Sequence, residues 1–366
     1  MNNPASLESV SFRYLPALDG LRAIAIMLVL FAHAGLGHIV PGGLGVIIFF
    51  VISGFLISRL MIAEIAATGT LNIHRFYLRR ILRLFPALLL LLAVFTPLSL
   101  ALGVTVTPAH IFSAVFYVAN YYHMYIGYPA YSPFPILWSL AVEEHFYIVF
   151  PFLVRAFQRD FRKLLPWLGG MAGAILLWRF VLNAHCQGAD APYVLCGLTG
   201  GARIYKGSDS IMDCILIGAI MAFALHRHPQ LIRRLFINRP AFWAGAAILL
   251  STLLIREENF RATLRYTLQS AASAVLIVNI LFGNRTLLTR MLEHPWLIMI
   301  GRWSYALYLF HFAVAMAIGA WRREPHGLQG VQDIALYFGL TFLLAALTYH
   351  GVEKPVQALR RRFRAH

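Results

Sequence analysis

The chain has 366 residues, 60% of them hydrophobic and only 13% charged, with a mean hydropathy of +0.69. Those values exclude an ordinary water-soluble core and indicate a polytopic membrane protein. The net charge of +16 would suggest nucleic acid as the partner of a soluble protein. Here it falls in short clusters between apolar stretches, where it orients a membrane chain, so no nucleic-acid partner is expected.

Residues 1–17 read as a short cytoplasmic tail. Asp19 is placed to cap a first helix opened by Gly20-Leu21-Arg22, with Arg22 at its inner end. The apolar stretch from Leu18 to His38 is long enough to span and lacks a small-residue cleavage site, so it is expected to remain as a helix. It carries His33, ~18 Å beyond Leu21 and past the middle of a ~30 Å hydrocarbon layer. An ionisable group at that depth is a functional candidate. A second span, Leu44 to Ile65, contains Ser53 and Gly54, small enough for close helix packing. The basic cluster from His74 to Arg83 is closed by Pro86 and leads into a third span ending near Gly103.

The stretch from Pro108 to Met124 is apolar but interrupted by His110, Asn120 and His123. If it does not cross, spans fall at 18–37, 44–64, 85–103, 136–154, 164–183, 208–226, 240–256, 264–282, 297–319 and 331–350, and 23 of the 31 Lys and Arg lie inside. If it crosses, every later loop flips and the bias disappears. The charge rule therefore predicts an all-α membrane helix bundle of about ten spans, one domain over 1–366, with both ends cytoplasmic and 351–366 a basic tail. Residues 104–135 become an external excursion resting partly on the membrane. Cys186 and Cys196 share one external loop, where an oxidising periplasm permits a disulfide. The three cysteines match no metal or haem spacing, and no metal cofactor is expected.

Span four opens Trp138-Ser139-Leu140 and carries Glu143, Glu144 and His145. Glu143 projects ~12 Å below Pro135, a depth similar to that of His33. A carboxylate on an imidazole orients it and raises its basicity, which suits a general base acting on an alcohol; a structural pair between helices would look the same. Arg79, Arg80 and Arg83 form one basic face at the inner boundary, able to bind phosphates bidentately or to anchor on anionic lipid. Ser304, Tyr308 and His311 share a later helical face, where packing is the default role. Asp209 and Asp213 open span six and need partners, for which a basic residue is the natural choice.

Taken together, the stretch from Tyr14 to Ala23 leading to His33, Phe49 to Phe55, Arg80 with Arg83, Trp138-Ser139-Leu140 with Glu143, Phe146 and Tyr147, Ser304-Tyr305 through His311, and Val352-Glu353-Lys354-Pro355 resemble the acyltransferase-3 family of integral-membrane O-acyltransferases. The resemblance is essentially full length. It implies acyl transfer, usually acetyl from an acyl-CoA, onto a hydroxyl of a cell-surface carbohydrate or glycolipid, in a bacterial inner membrane. His33 would be catalytic, with Glu143 beside it; Arg80 and Arg83, with Arg79, would serve the donor; Trp138, Ser139, Asp213 and His311 are candidates for the acceptor. Acyl-CoA is then a co-substrate, with no bound cofactor. Ile47 and Ile211 depart from the family, whose members often have Asp before the Phe pair and Arg between the two acids. The competing class is a transporter or flippase of a charged glycolipid, for which the sequence offers no inverted repeat or paired broken helices. A lipid-linked glycosyltransferase would want an Asp-x-Asp motif that is missing.

Overall fold

The structure is a computed structural model that describes residues 14–188, 191–323, 328 and 330–361. The outermost residues of both expected tails, 1–13 and 362–366, lie outside the described residues. In chain order the helices are α1 (Pro16–Phe31), α2 (Gly42–Thr68), α3 (Ile73–Ala101), α4 (Pro108–Val115), α5 (Ala119–Tyr125), α6 (Trp138–Ala156), α7 (Phe161–His185), α8 (Tyr193–Cys196), α9 (Gly200–Lys206) and α10 (Ser208–Ile211). They continue as α11 (Asp213–Arg227), α12 (Pro229–Phe236), α13 (Arg239–Leu254), α14 (Glu258–Ala262), α15 (Leu264–Phe282), α16 (Leu287–Leu292), α17 (Pro295–Arg322), α18 (Gly330–Thr348) and α19 (Lys354–Arg361). Wide π turns follow α1 (Ala32–Leu36) and α18 (Tyr349–Glu353).

Among the described residues eight helices are long and apolar enough to cross a membrane, and nine if α12 and α13, bent by 64°, count as one broken span. The expected ten are not reached. Span 208–226 divides at Met212, leaving α11 with 15 residues, or ~22 Å of rise against a ~30 Å layer. At that break the Ser210 carbonyl accepts from Arg179 Nε at 2.6 Å, in a turn where a continuous helix would have used a backbone N–H. Residues 104–135 form only the short α4 and α5 and a single 3-10 turn at Pro135–Leu137, so the excursion does not cross as one helix. The first helix begins at Pro16, which suits the first helical position, so Asp19 lies within the first turn instead of capping it. Pro86 does not separate the basic cluster from the third span: α3 runs unbroken from Ile73 through Pro86 and Pro97.

Two compact units emerge: residues 1–23, 47–71 and 143–301, and residues 24–46, 72–142 and 302–366. In the first, Leu18, Val51, Ile52, Ala274 and Ile277 form a core beside Phe55, Ala222 and Val278. Gly54 of α2 and Gly218 of α11 make the close approach that the small residues promised. A Cβ at Gly54 would meet the Ile215 carbonyl at 1.9 Å, and one at Gly218 the Val51 carbonyl at 2.1 Å. In the second unit, Phe95 of α3 meets Phe310 of α17 at 6.0 Å, and Phe31 meets Phe338 of α18 at 5.2 Å.

Candidate active site

His33 does not sit mid-helix. Regular α1 ends at Phe31, and the chain opens into a π turn whose Gly35 takes φ +95°, a conformation that strains any residue with a side chain. Single π turns of this kind recur at functional sites because they re-aim a side chain. Here the turn leaves His33 exposed, with Nδ1 3.0 Å from the Val29 carbonyl. A carbonyl oxygen only accepts, so neutral His33 carries its proton on Nδ1 and offers the lone pair of Nε2.

Its ring neighbour in the same unit is His311 of α17, centroid to centroid 5.0 Å, with Phe312 edge-on at 5.4 Å. His311 is fully buried (0% exposed), and its Nδ1 donates to the carbonyls of Tyr308 (2.7 Å) and Leu307 (3.1 Å). Tyr308 in turn donates its hydroxyl to the Ile136 carbonyl at 3.2 Å and shares a 2.5 Å hydrogen bond with Ser139 Oγ. Four sequence-marked residues, Ser139, Tyr308, His311 and His33, therefore form one connected chain. Trp138, next to Ser139, is buried at the start of α6.

Arg79, Arg80 and Arg83 lie in the first three turns of α3, after an Asn72 cap that accepts from the Arg75 amide at 2.9 Å. Arg80 is buried, with its guanidinium 5.8 Å from the Phe76 ring centroid; Arg79 and Arg83 are half-buried. The positive end of a helix dipole disfavours guanidinium groups and favours an anion. Of the four arginines on this stretch only Arg75 lies in the first turn; Arg79, Arg80 and Arg83 follow in the second and third.

Glu143 belongs to the first unit, on α6. Nearby on that helix, His145 Nδ1 is 2.6 Å from Ser208 Oγ, and Tyr147 bonds Ser53 through their hydroxyls. Asp213 is not open to an acceptor. It is fully buried, paired with the equally buried Arg179 of α7, and takes the Thr267 hydroxyl at 2.6 Å. Asp209 likewise receives Arg203 through two guanidinium nitrogens (2.9 and 2.5 Å) and Trp178 Nε1 (2.8 Å). With the uncharged Ile211 between them, each acid is paired with an arginine from elsewhere in the first unit, Asp213 with Arg179 and Asp209 with Arg203. Arg179 carries no motif, and its one signal in the sequence is that a lone arginine inside an apolar span marks a buried acid. Cys186 and Cys196 do form a disulfide, with Cα atoms 5.3 Å apart. Among the described residues no three His, Cys, Asp or Glu side chains gather as a metal centre requires.

A protein of Staphylococcus aureus (strain COL) that carries the provisional name of an O-acetyltransferase is 29% identical over 360 residues, covering 94% of this chain and 57% of its own. The O-acetyltransferase OatA of Staphylococcus aureus (strain NCTC 8325) is 29% identical over 364 residues, with the same two coverages of 94% and 57%. The chain thus spans little more than half the length of these relatives. No solved structure matches it. Residues 15–350 match the family model described as an acyltransferase domain, and with nearly its whole length inside that match, the chain belongs to the acyltransferase-3 family that its motifs resemble.

Proposed function

We propose that this chain is a multi-pass O-acyltransferase of a bacterial inner membrane. It moves an acyl group, most simply acetyl from acetyl-CoA, onto a hydroxyl of a cell-surface or secreted carbohydrate such as O-antigen, exopolysaccharide or lipo-oligosaccharide. The observation that carries this reading is the contact of His33 Nδ1 with the Val29 carbonyl at 3.0 Å, which assigns the tautomer. With Nδ1 committed to the Val29 carbonyl, Nε2 is left as a base on an exposed imidazole. Nε2 takes the hydroxyl proton as the oxygen attacks the thioester carbon; the C–S bond breaks, and the proton passes to the departing sulfur. Arg80 and Arg83, with Arg79, hold the phosphates of the donor, and Trp138 and Ser139 line the acceptor side.

The test uses purified full-length chain, radiolabelled acetyl-CoA and a panel of p-nitrophenyl glucoside, galactoside and N-acetylglucosaminide. Labelled glycoside and free CoA thiol should appear together. His33→Ala should lower turnover by about 10²–10⁴-fold without loss of folded protein. Near-wild-type turnover in that variant removes the central residue of the reading, and an intact thioester with every glycoside would favour a transporter instead.

A further inference from the structure

Two imidazoles lie side by side, His33 just beyond α1 and His311 on α17, and backbone carbonyls assign the neutral tautomer of both. His311, like His33, faces backbone carbonyls through Nδ1, so its neutral form also carries the proton there and presents a bare lone pair at Nε2. That Nε2 is buried and has no hydrogen-bond partner. Buried acceptors are normally satisfied, and an orphan beside a functional group calls for the donor that completes it. Neutral His33 cannot be that donor, because its own Nε2 is equally bare. Protonated His33 can: with a proton on Nε2 it becomes a donor on a ring whose centroid lies 5.0 Å from that of His311, a spacing that a small shift of the rings or one bridging water closes. The arrangement is incomplete in the resting state and complete only midway through a proton transfer.

We propose that His311 is a positioning residue of acyl transfer, its Nε2 accepting the proton-bearing Nε2–H of His33 so that the two rings hold the acceptor's proton between them. The inference rests on the acyl-transfer reading above. The substrate O–H bond breaks and the proton moves to His33. The C–O bond forms and the C–S bond breaks, and the proton, steadied by His311, then leaves for the thiolate, returning both rings to neutrality. An interaction present only while the proton is in transit lowers the barrier without tightening ground-state binding. Ser139 and Tyr308 keep the carbonyl that aims His311 in place.

The test compares three variants on acetyl-CoA and whichever p-nitrophenyl glycoside the wild type acetylates. His311→Asn keeps a donor for the Tyr308 carbonyl but loses the far acceptor; His311→Gln places an amide oxygen where Nε2 was; His311→Met has neither. Asn and Met should lower kcat by about 10–100-fold with KM for both substrates unchanged. Gln should recover at least several-fold of that loss at equal thermal stability. Wild-type turnover in His311→Asn, equal loss in Gln and Met, or a change confined to KM would each overturn the proposal. Absence of any transfer by the wild type would instead strike the acyl-transfer reading itself.

Discussion

Asp213→Asn separates a brace from a binding residue. In the first unit Arg179 spends its guanidinium on the Ser210 carbonyl (2.6 Å), the Thr263 carbonyl (2.9 Å), Thr267 Oγ1 (3.1 Å) and Asp213, and neither Arg179 nor Asp213 has any exposed side-chain surface. Asparagine preserves the shape but removes the charge, leaving a guanidinium uncompensated in a desolvated site. Breaking a buried pair on one side costs about 3–5 kcal/mol, a large share of the ~5–15 kcal/mol that holds a folded protein together. The double change Arg179→Met with Asp213→Leu removes both charges and should recover most of that loss, because desolvation then disappears with the attraction. Thermal unfolding of the purified chain in detergent measures both. A stable Asp213→Asn protein, within ~0.5 kcal/mol of wild type but with a raised KM for the glycoside, would refute the brace and restore Asp213 as an acceptor ligand.

The chain has only three lysines, Lys163, Lys206 and Lys354, and the charge rule puts Lys206 alone outside. Burial pushes the Lys206 ammonium down to about 8, so near pH 8 about half of it is uncharged, on the order of 100-fold more than an ordinary lysine. An impermeant amine reagent on intact cells should label Lys206 with a rate that climbs up to pH 8 and then levels; labelling of Lys163 or Lys354 from that side would sink the topology. Tags at Tyr128 and Gln230 should likewise be reached from opposite faces. Cys196→Ser opens a bridge with a sequence separation of 10 and should cost about 2–3 kcal/mol on the chain-entropy model. In alkylated membranes only the buried Cys214 should titrate as a thiol after denaturation, and three thiols would contradict the bridge.

Most of the fold was legible because apolar length is a strong signal: eight of the ten expected spans coincide with helices able to cross. The two exceptions are where local chemistry overrides hydropathy. Asn238 caps α13 by accepting from Ala241 N at 2.8 Å, cutting it to 16 residues, and Arg179 occupies the carbonyl at the Met212 break. The site was legible as a set of residue types but not as a set of partners. Spacing could place Tyr308 and His311 on one face, yet not reveal that the Tyr308 carbonyl would fix the imidazole tautomer. The π turn at His33 was hidden for a different reason. Gly35 and Gly37 permit a helix end, but nothing in apolar periodicity distinguishes a π turn from an α-helix one residue longer.

The second unit also supplies a ruler between the arginines and the imidazoles. Tyr305 of α17 donates to the Leu84 carbonyl of α3 at 2.8 Å, and further along Phe310 meets Phe95 at 6.0 Å, so the two helices run in the same direction. Arg83 directly precedes the first contact, and His311 directly follows the second. Six residues of α17 rise ~9 Å and eleven of α3 rise ~17 Å, which sets the arginines roughly 9–17 Å from the histidine pair along the helices. If α3 enters from the cytoplasmic side, as the charge rule expects, a donor whose phosphates rest on Arg80 and Arg83, as proposed above, would reach His33 only through a slender arm, as the pantetheine of coenzyme A is. Charge and reactivity are then separated across the membrane. Arg80→Ala or Arg83→Ala should raise the KM for acetyl-CoA about 10-fold or more with kcat little changed, and lysine at either site should rescue only in part because the planar fork is lost. Sealed vesicles of known orientation decide the arrangement. Acetyl-CoA supplied on the cytoplasmic face should modify glycoside held on the opposite face, and modification confined to glycoside on the acetyl-CoA side would refute it.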